Sequence, residues 1–337
     1  MPFYPCMNRR RLLKTAFCSS LALGLNLRAN ALTAFLANKG DLDLMAIGDF
    51  GSANEAQWSV ARAITRYTKG LPSAPAGMLM LGDNFYGGGL GDAESKRWQT
   101  GFEDCYPEET FTGPCWAILG NHDYAETAGQ ELAELAYAKR PAGTRWTMPQ
   151  KFYRVDLPTK ENPKLTMLMI DTNWEPIQRR THGKLGDKRV IWLSDEDRKA
   201  QLAWLEKELQ SKRAPFTAVI GHHPVYSNGP HGDTAELVTD VGPLLQKYGV
   251  HLYLGGHDHD LQHLEMQGMK TSFVVSGGGG QHLTELKENH HPEFAQAVFG
   301  FSHLTVTDEK LTLRHIDANG KVIHVFEKTK DFKWKVV

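Results

Sequence analysis

Asp, Asn and His recur in this chain in five short polar clusters, each placed directly after an apolar run. They are Gly48-Asp49-Phe50-Gly51, Gly82-Asp83-Asn84-Phe85-Tyr86, Gly120-Asn121-His122-Asp123, Gly221-His222-His223-Pro224 and Gly255-Gly256-His257-Asp258-His259. These side chains are the carboxylate, amide and imidazole donors from which hydrolytic metal sites are built. The glycine ahead of each polar residue lets the chain turn sharply where a strand ends, and ligands bind at the carboxyl ends of strands in open α/β sheets. One Gly-Asp pair is ordinarily just a turn; five such clusters in order form a metal-site pattern. Histidine content agrees: of 15 in the chain, seven (His222, His223, His231, His251, His257, His259 and His263) fall in one segment, and neutral imidazole is the commonest metal ligand.

The elements that must position these clusters are legible as apolar runs. Strands are expected at Leu42–Ile47, Met78–Leu81, Trp116–Leu119, Leu165–Ile170, Thr217–Ile220, Leu252–Leu254 and Ser272–Val275, most of them continuous runs, as for strands buried on both faces. Helices are expected at Asn54–Tyr67, with Ala56, Val60, Ile64 and Tyr67 on one stripe, at Glu126–Lys139, and at Asp195–Lys212. The last has Ser194 as N-cap, acids in its first turn, and Leu202, Leu205 and Leu209 facing the core. Ser302–Val306, Leu311–Ile316 and Val322–Phe326 alternate with period two around an Asp317-Ala318-Asn319-Gly320 turn, so an antiparallel layer should finish an α/β body.

Composition narrows the function classes. The 337 residues are 41% hydrophobic and 23% charged with net charge −1, which excludes disorder and gives no basic surplus for nucleic-acid binding. No apolar run past the N-terminus is long enough to span a bilayer. Residues 1–31 read as an export signal: Asn-Arg-Arg-Arg-Leu-Leu-Lys at 8–14, an apolar stretch from Thr15 to Leu27, then Ala29-Asn30-Ala31 as a small-x-small cleavage site. The paired arginines resemble a twin-arginine signal, which makes the export machinery a partner and the mature protein periplasmic or secreted, with no stable membrane insertion. Residues 32–41 follow as a linker. Cys6 and Cys18 fall in the leader, while Cys105 and Cys115 either bridge in an oxidising compartment or remain two half-buried thiols.

In their order the clusters resemble those of the calcineurin-like metallophosphoesterases, whose blocks run Asp, Gly-Asp, Gly-Asn-His, His and Gly-His-x-His. The likeness extends from Leu42 to Phe326. Most of that superfamily carries His two residues after the first Asp, where this chain has Gly51, and Tyr86, three residues past the second Asp, stands in as the missing ligand. That exchange marks the purple acid phosphatases, and Val219–Leu264 is similar to their small, tartrate-resistant type. The resemblance implies an α/β fold of two central mixed β-sheets packed as a sandwich and flanked by helices, four layers in all. It assigns residues 42–330 to one catalytic domain and 331–337 to a tail.

The resemblance also implies a ligand set. Asp49, Tyr86 and His259 would hold one metal, Asn121, His222 and His257 the other, and Asp83 would bridge both. A phenolate favours a trivalent ion, so the first site should take Fe(III) and the second a divalent Fe, Zn or Mn. After the carboxylates, the phenolate and a bound hydroxide are counted, a small positive charge remains to attract phosphate. The implied activity is hydrolysis of small phosphate monoesters, as an acid phosphatase, by attack of a metal-bound hydroxide. His122 and His231 match the family's two accessory histidines, as general acid and phosphate-binding group in an order left open. Asp123 and Asp258 are candidates to orient imidazoles. In the Gly-His-x-Pro register His222, rather than His223, occupies the strand end, and the Gly277–Gly280 loop, lacking Gly-Lys-Ser/Thr, reads as a tight turn near the site. A phosphodiesterase on the same core and a redox-active iron protein are the alternatives; a full ligand set with two accessory histidines favours hydrolysis.

Overall fold

Strands β1 (Leu42–Ile47), β2 (Gly77–Met80) and β3 (Cys115–Ala117) are buried at every position, which explains why they read as unbroken apolar runs. The same holds for β6 (Leu165–Met169), β7 (Phe216–Ile220), β8 (Leu252–Gly255) and β10 (Ser272–Ser276). The remaining strands are β4 (Trp146–Thr147), β5 (Tyr153–Leu157), β9 (Leu261–Glu265), β11 (Phe294–Gln296), β12 (Gly300–Val306), β13 (Lys310–Asp317), β14 (Val322–Thr329) and β15 (Trp334–Val336). They make two mixed sheets, ordered β15-β14-β13-β12-β1-β2-β3-β4 and β11-β9-β10-β8-β7-β6-β5. The helices are α1 (Glu55–Lys69), α2 (His122–Ala125), α3 (Gln130–Tyr137), α4 (Glu175–Thr181), α5 (Asp195–Gln210), α6 (Ala235–Asp240) and α7 (Gly242–Tyr248), with a π-helical turn at Gln99–Glu103. This is the expected α/β architecture of two mixed sheets flanked by helices.

The structure is a computed structural model and describes residues 40–181 and 192–337. The export signal at 1–31, most of the 32–41 linker and residues 182–191, with the Arg179 and Arg180 side chains, lie outside the described residues. Asp41–Lys69 and Ala74–Val337 form one compact unit. Residues 331–337, read as a tail, contribute an edge strand, β15, which pairs antiparallel with β14.

The sheets meet across a polar seam. Ser302 Oγ lies 2.7 Å from Ser276 Oγ, Lys328 Nζ 2.6 Å from Ser272 Oγ, and His263 Nδ1 3.0 Å from His324 Nε2, all with partners that remove the cost of burying them. On the outer face of the second sheet, Leu168, Val219, Tyr253 and Phe273 pack with Leu205, Leu209, Leu237 and Leu245 from the helices. Ser194 Oγ caps α5 by accepting from Asp197 N at 3.1 Å.

Two local expectations are corrected. The buried stripe of α1 runs through Gln57, Val60, Ala61 and Ile64, with Gln57 replacing Ala56, because its amide is satisfied at both ends by Ala53 N and Gly101 O. The helix expected at Glu126–Lys139 is two short ones, α2 and α3, interrupted before Gly129, whose φ of 85° breaks the helical path. Cys105 and Cys115 are buried free thiols, each pushed up to about 12 by burial.

Candidate active site

Every polar cluster lies just past the carboxyl end of a strand: Asp49 after β1, Asp83 and Tyr86 after β2, Asn121 after β3, His222 after β7, and His257 and His259 after β8. The first four come from one sheet and the histidines from the other. Strands β1 to β3 run parallel, as do β7 and β8, so their carboxyl ends gather at one edge. The turns are tight. Asp49, Asp83 and His257 all have positive φ, 58°, 52° and 70°, in a region that costs a side-chain-bearing residue about 1–3 kcal/mol. A Cβ on Gly51 would sit 1.7 Å from Asn84 O, so the chain has no room for a side chain at that position.

The seven side chains form one connected cluster. Tyr86 OH lies 2.8 Å from Asp83 Oδ2 and 3.2 Å from Asp49 Oδ1, and His259 Nε2 is 3.5 Å from the same Asp49 oxygen. On the other side, Asn121 Oδ1 is 3.2 Å from His222 Nε2 and 2.9 Å from His257 Nδ1. Asp83 touches both groups, since its Oδ1 lies 3.4 Å from His222 Nε2. All seven are buried. The second ring nitrogens fix the ring orientations: His222 Nδ1 donates to Leu81 O at 2.8 Å and His259 Nδ1 to His282 O at 2.7 Å, which turns each Nε2 toward the cluster. Burial opposes charge on His222, but Asp83 and Asp49 push it up to about 10, so in the metal-free protein its Nε2 carries a proton that a bound cation would displace. His257 Nε2 is buried and has no hydrogen-bond partner among the described residues.

Electrostatics mark the cluster as a place for cations. Burial, reinforced by Asp83, holds the Asp49 carboxyl well above its ordinary value. Burial also opposes ionisation of Asp83, but His222 and His122 outweigh it and hold that carboxylate low. Burial and both carboxylates push the Tyr86 phenol far up. His257 is held well below its ordinary value by burial and neighbouring histidines, and burial lowers His259 to about 4 despite Asp83, so both are neutral and fit to coordinate. Ligand atoms of Asp49, Asp83 and His222 lie within 4.8 Å of one another. This donor set of carboxylate, phenol, amide oxygen and imidazole fits a pair of metal ions, the harder oxygen-rich half at Asp49 and Tyr86 and the nitrogen-rich half at His222 and His257.

The accessory residues divide. His231 Nδ1 lies 2.7 Å from Asp258 Oδ1, and its ring stands 4.1 Å from that of His257, centroid to centroid. Asp258 thus orients an imidazole, as expected. Asp123 does not: it accepts from Asn84 N and Gly120 N, both at 2.8 Å, and so braces the two turns beneath the cluster. His122 instead meets a residue the sequence reading passed over, Glu126, at 2.7 Å. The signal was present as i,i+4 spacing from an accessory histidine. The His223 ring packs 4.3 Å from that of His257, centroid to centroid, but its nitrogens are engaged elsewhere, Nδ1 2.7 Å from Thr172 Oγ1 and Nε2 3.3 Å from Gln178 Nε2. The Gly277–Gly280 loop packs behind Asp49, where Gly279 N donates to Gly48 O at 3.1 Å. Beyond it, Thr284 Oγ1 accepts from His259 N at 3.1 Å. Arg97, also unforeseen, donates to Gly51 O and Tyr86 O.

Residues 42–261 match the calcineurin-like phosphoesterase family. Over 295 residues the chain is 32% identical to tartrate-resistant acid phosphatase type 5 of Oryctolagus cuniculus, covering 83% of this chain and 88% of the relative. It is 30% identical over 249 residues to purple acid phosphatase 17 of Arabidopsis thaliana, covering 72% and 69%. Among solved structures, the Plasmodium inner-membrane-complex anchor GAP50 superposes with a TM-score of 0.66 at 22% identity, covering 85% of this chain and 87% of that one. A purple acid phosphatase from yellow lupin (Lupinus luteus) seeds superposes with a TM-score of 0.61 at 18% identity, covering 88% and 55%. The structures share the fold; the sequence relatives share the family. The chain belongs to the calcineurin-like phosphoesterases, in the branch of relatives named tartrate-resistant and purple acid phosphatases.

Proposed function

We propose that this protein is an acid phosphatase that hydrolyses small phosphate monoesters at a binuclear metal centre. In this reading Asp49, Tyr86 and His259 would hold Fe(III), Asn121, His222 and His257 would hold a divalent Fe, Zn or Mn, and Asp83 would serve both. The observation that carries it is Asp83 itself, which turns Oδ2 to Tyr86 and Oδ1 to His222 in a fully buried cluster. When bound, the metal pair lowers the pKa of coordinated water and offsets the charge of the phosphoryl oxygens.

The chain's own groups supply the rest. His122 and His231 have side chains 36% and 38% exposed, unlike the buried seven, so they are the ones that can meet substrate. Asp258 accepts the His231 Nδ1 proton, which leaves Nε2 for a substrate oxygen. Glu126 does the same for His122. One of the pair delivers a proton from Nε2 to the departing ester oxygen while the other holds a phosphoryl oxygen. Gly48, Gly82 and Gly256 let the backbone bring Asp49, Asp83 and His257 together, and the strained turns keep them there.

Residues 42–330 serve as the single catalytic domain in this account, and the order Arg9-Arg10-Arg11-Leu12-Leu13-Lys14 supports twin-arginine export to the periplasm or beyond. Among the described residues no helix is long and apolar enough to cross a membrane. Turnover of p-nitrophenyl phosphate against bis(p-nitrophenyl) phosphate tests the substrate class: the monoester should be strongly preferred, and a preference for the diester would replace the phosphatase reading with a phosphodiesterase.

A further inference from the structure

Glu126 sits at the C-terminal end of α2, four residues past His122, with its backbone N donating to His122 O at 3.0 Å. Its two carboxylate oxygens do different things. Oε1 lies 2.7 Å from His122 Nδ1, and Oε2 accepts from Gly88 N at 3.2 Å. Gly88 lies in the loop Gly87-Gly88-Gly89, which directly follows Tyr86 and has φ values of 67°, 94° and 63° that only glycine adopts freely. Thr127, next to Glu126, donates from Oγ1 to Gly88 O at 3.0 Å, so one short segment holds both the N–H and the C=O of Gly88. The His122 ring packs over the Tyr86 ring with centroids 4.5 Å apart, which closes the circuit from Tyr86 through the glycine loop and Glu126 back to His122.

The pair is half-exposed, with Glu126 21% accessible, and a pair of this kind contributes little to stability. Its consequence is orientation. Glu126 takes the Nδ1 proton, so Nε2 is the nitrogen left for the open side, and in the imidazolium form it carries the second proton that a general acid delivers. Without Glu126 the ring would keep its packing on Tyr86 but lose the bond that fixes Nδ1, and the glycine loop would lose its only described side-chain carboxylate.

We propose that Glu126 is a positioning residue of the hydrolytic site: it fixes the His122 ring and ties the Gly87–Gly89 rim to it, so that the two move as one. The proposal rests on the reading of His122 as a group that meets substrate. It is tested by a double-mutant cycle on the metal-loaded protein with Glu126→Ala, Glu126→Gln, His122→Ala and the His122→Ala/Glu126→Ala pair. Each is assayed for kcat and KM on p-nitrophenyl phosphate and on an alkyl phosphate with a poor leaving group, and for metal content. Glu126→Ala should lower kcat/KM roughly 10- to 100-fold with both metals retained. Whatever kcat-against-KM and leaving-group pattern His122→Ala shows, Glu126→Ala should reproduce it in weaker form. Glu126→Gln, which keeps an oxygen for the Nδ1 proton, should recover most of the loss, and the double variant should be no worse than His122→Ala within about threefold. Additive losses with His122→Ala costly, or metal lost from Glu126→Ala, would overturn this proposal alone. A His122→Ala variant as active as the parent would overturn the reading of His122 and the proposal together.

Discussion

The Tyr86 hydroxyl lies 2.8 Å from Asp83 Oδ2 and 3.2 Å from Asp49 Oδ1, a phenol facing two buried carboxylates. Burial and both negative charges raise its pKa far above the ordinary value of 10, so the metal-free protein keeps the proton on Tyr86. Only a strongly charged cation held by the same three residues replaces that proton with a metal–oxygen bond. The protein loaded with Fe(III) should therefore show a broad visible charge-transfer band that is absent from the metal-free form and from Tyr86→Phe. A colourless wild-type enzyme that is fully active with zinc alone would contradict the tyrosinate assignment.

Asp258 accepts from His231 at both the backbone N and Nδ1, the latter at 2.7 Å, and from Ser227 Oγ. Asp258→Ala removes the acceptor altogether, so the His231 ring is no longer held through Nδ1. Activity should drop roughly 10- to 100-fold with metal content unchanged. Steady-state kinetics beside elemental analysis checks this, and parental kcat/KM in Asp258→Ala would contradict the orienting role of Asp258.

Acid should loosen the seam between the sheets. His315, bonded to Ser302 Oγ at 3.0 Å and Gln262 O at 3.1 Å, is pushed down to about 3 by burial, and His324 to about 4 by burial and by His263. Glu265 and Lys328 flank the same seam. Both folded values lie below the ordinary 6.5, so the unfolded chain takes up protons first as pH falls. The stability these groups confer is complete above about 6.5 and lost progressively down to 4 and 3, on the order of a few kcal/mol for His315 and less for His324, which solvent partly screens. Denaturant melts between pH 6.5 and 4 should show a steeper loss for the parent protein than for His324→Gln, and equal slopes would contradict the account.

The site was more legible in the sequence than the fold around it. The seven clustered residues sit at strand ends marked by glycine, and Gly51 against Tyr86 stands out as a departure from the superfamily's blocks, for which the structure adds a reason, no room for a side chain at position 51. The long buried strands were equally plain. What escaped was β9, whose Leu-Gln-His-Leu-Glu reads as polar, yet Gln262 and His263 are fully buried. Their partners, Ser227 and His324, lie 35 and 61 residues away in the chain, beyond any local pattern. β5 does alternate through Tyr153, Val155 and Leu157, so its period-two pattern is legible in the sequence. The helix expected across Glu126 failed because Gly129 takes a left-handed turn, and the same error hid Glu126 as a partner of His122.

Asp83 decides the central claim, because its two oxygens face the two halves of the cluster, 2.8 Å from Tyr86 and 3.4 Å from His222. Elemental analysis of the purified protein and of Asp83→Asn, paired with phosphate release from a monoester, tests it directly. The account predicts two metal ions per chain and monoester hydrolysis in the parent protein, and loss of both metals together with the activity in Asp83→Asn. An Asp83→Asn protein that keeps one metal would place Asp83 in a single site, and a parent protein that hydrolyses the monoester with one metal bound would contradict the binuclear centre.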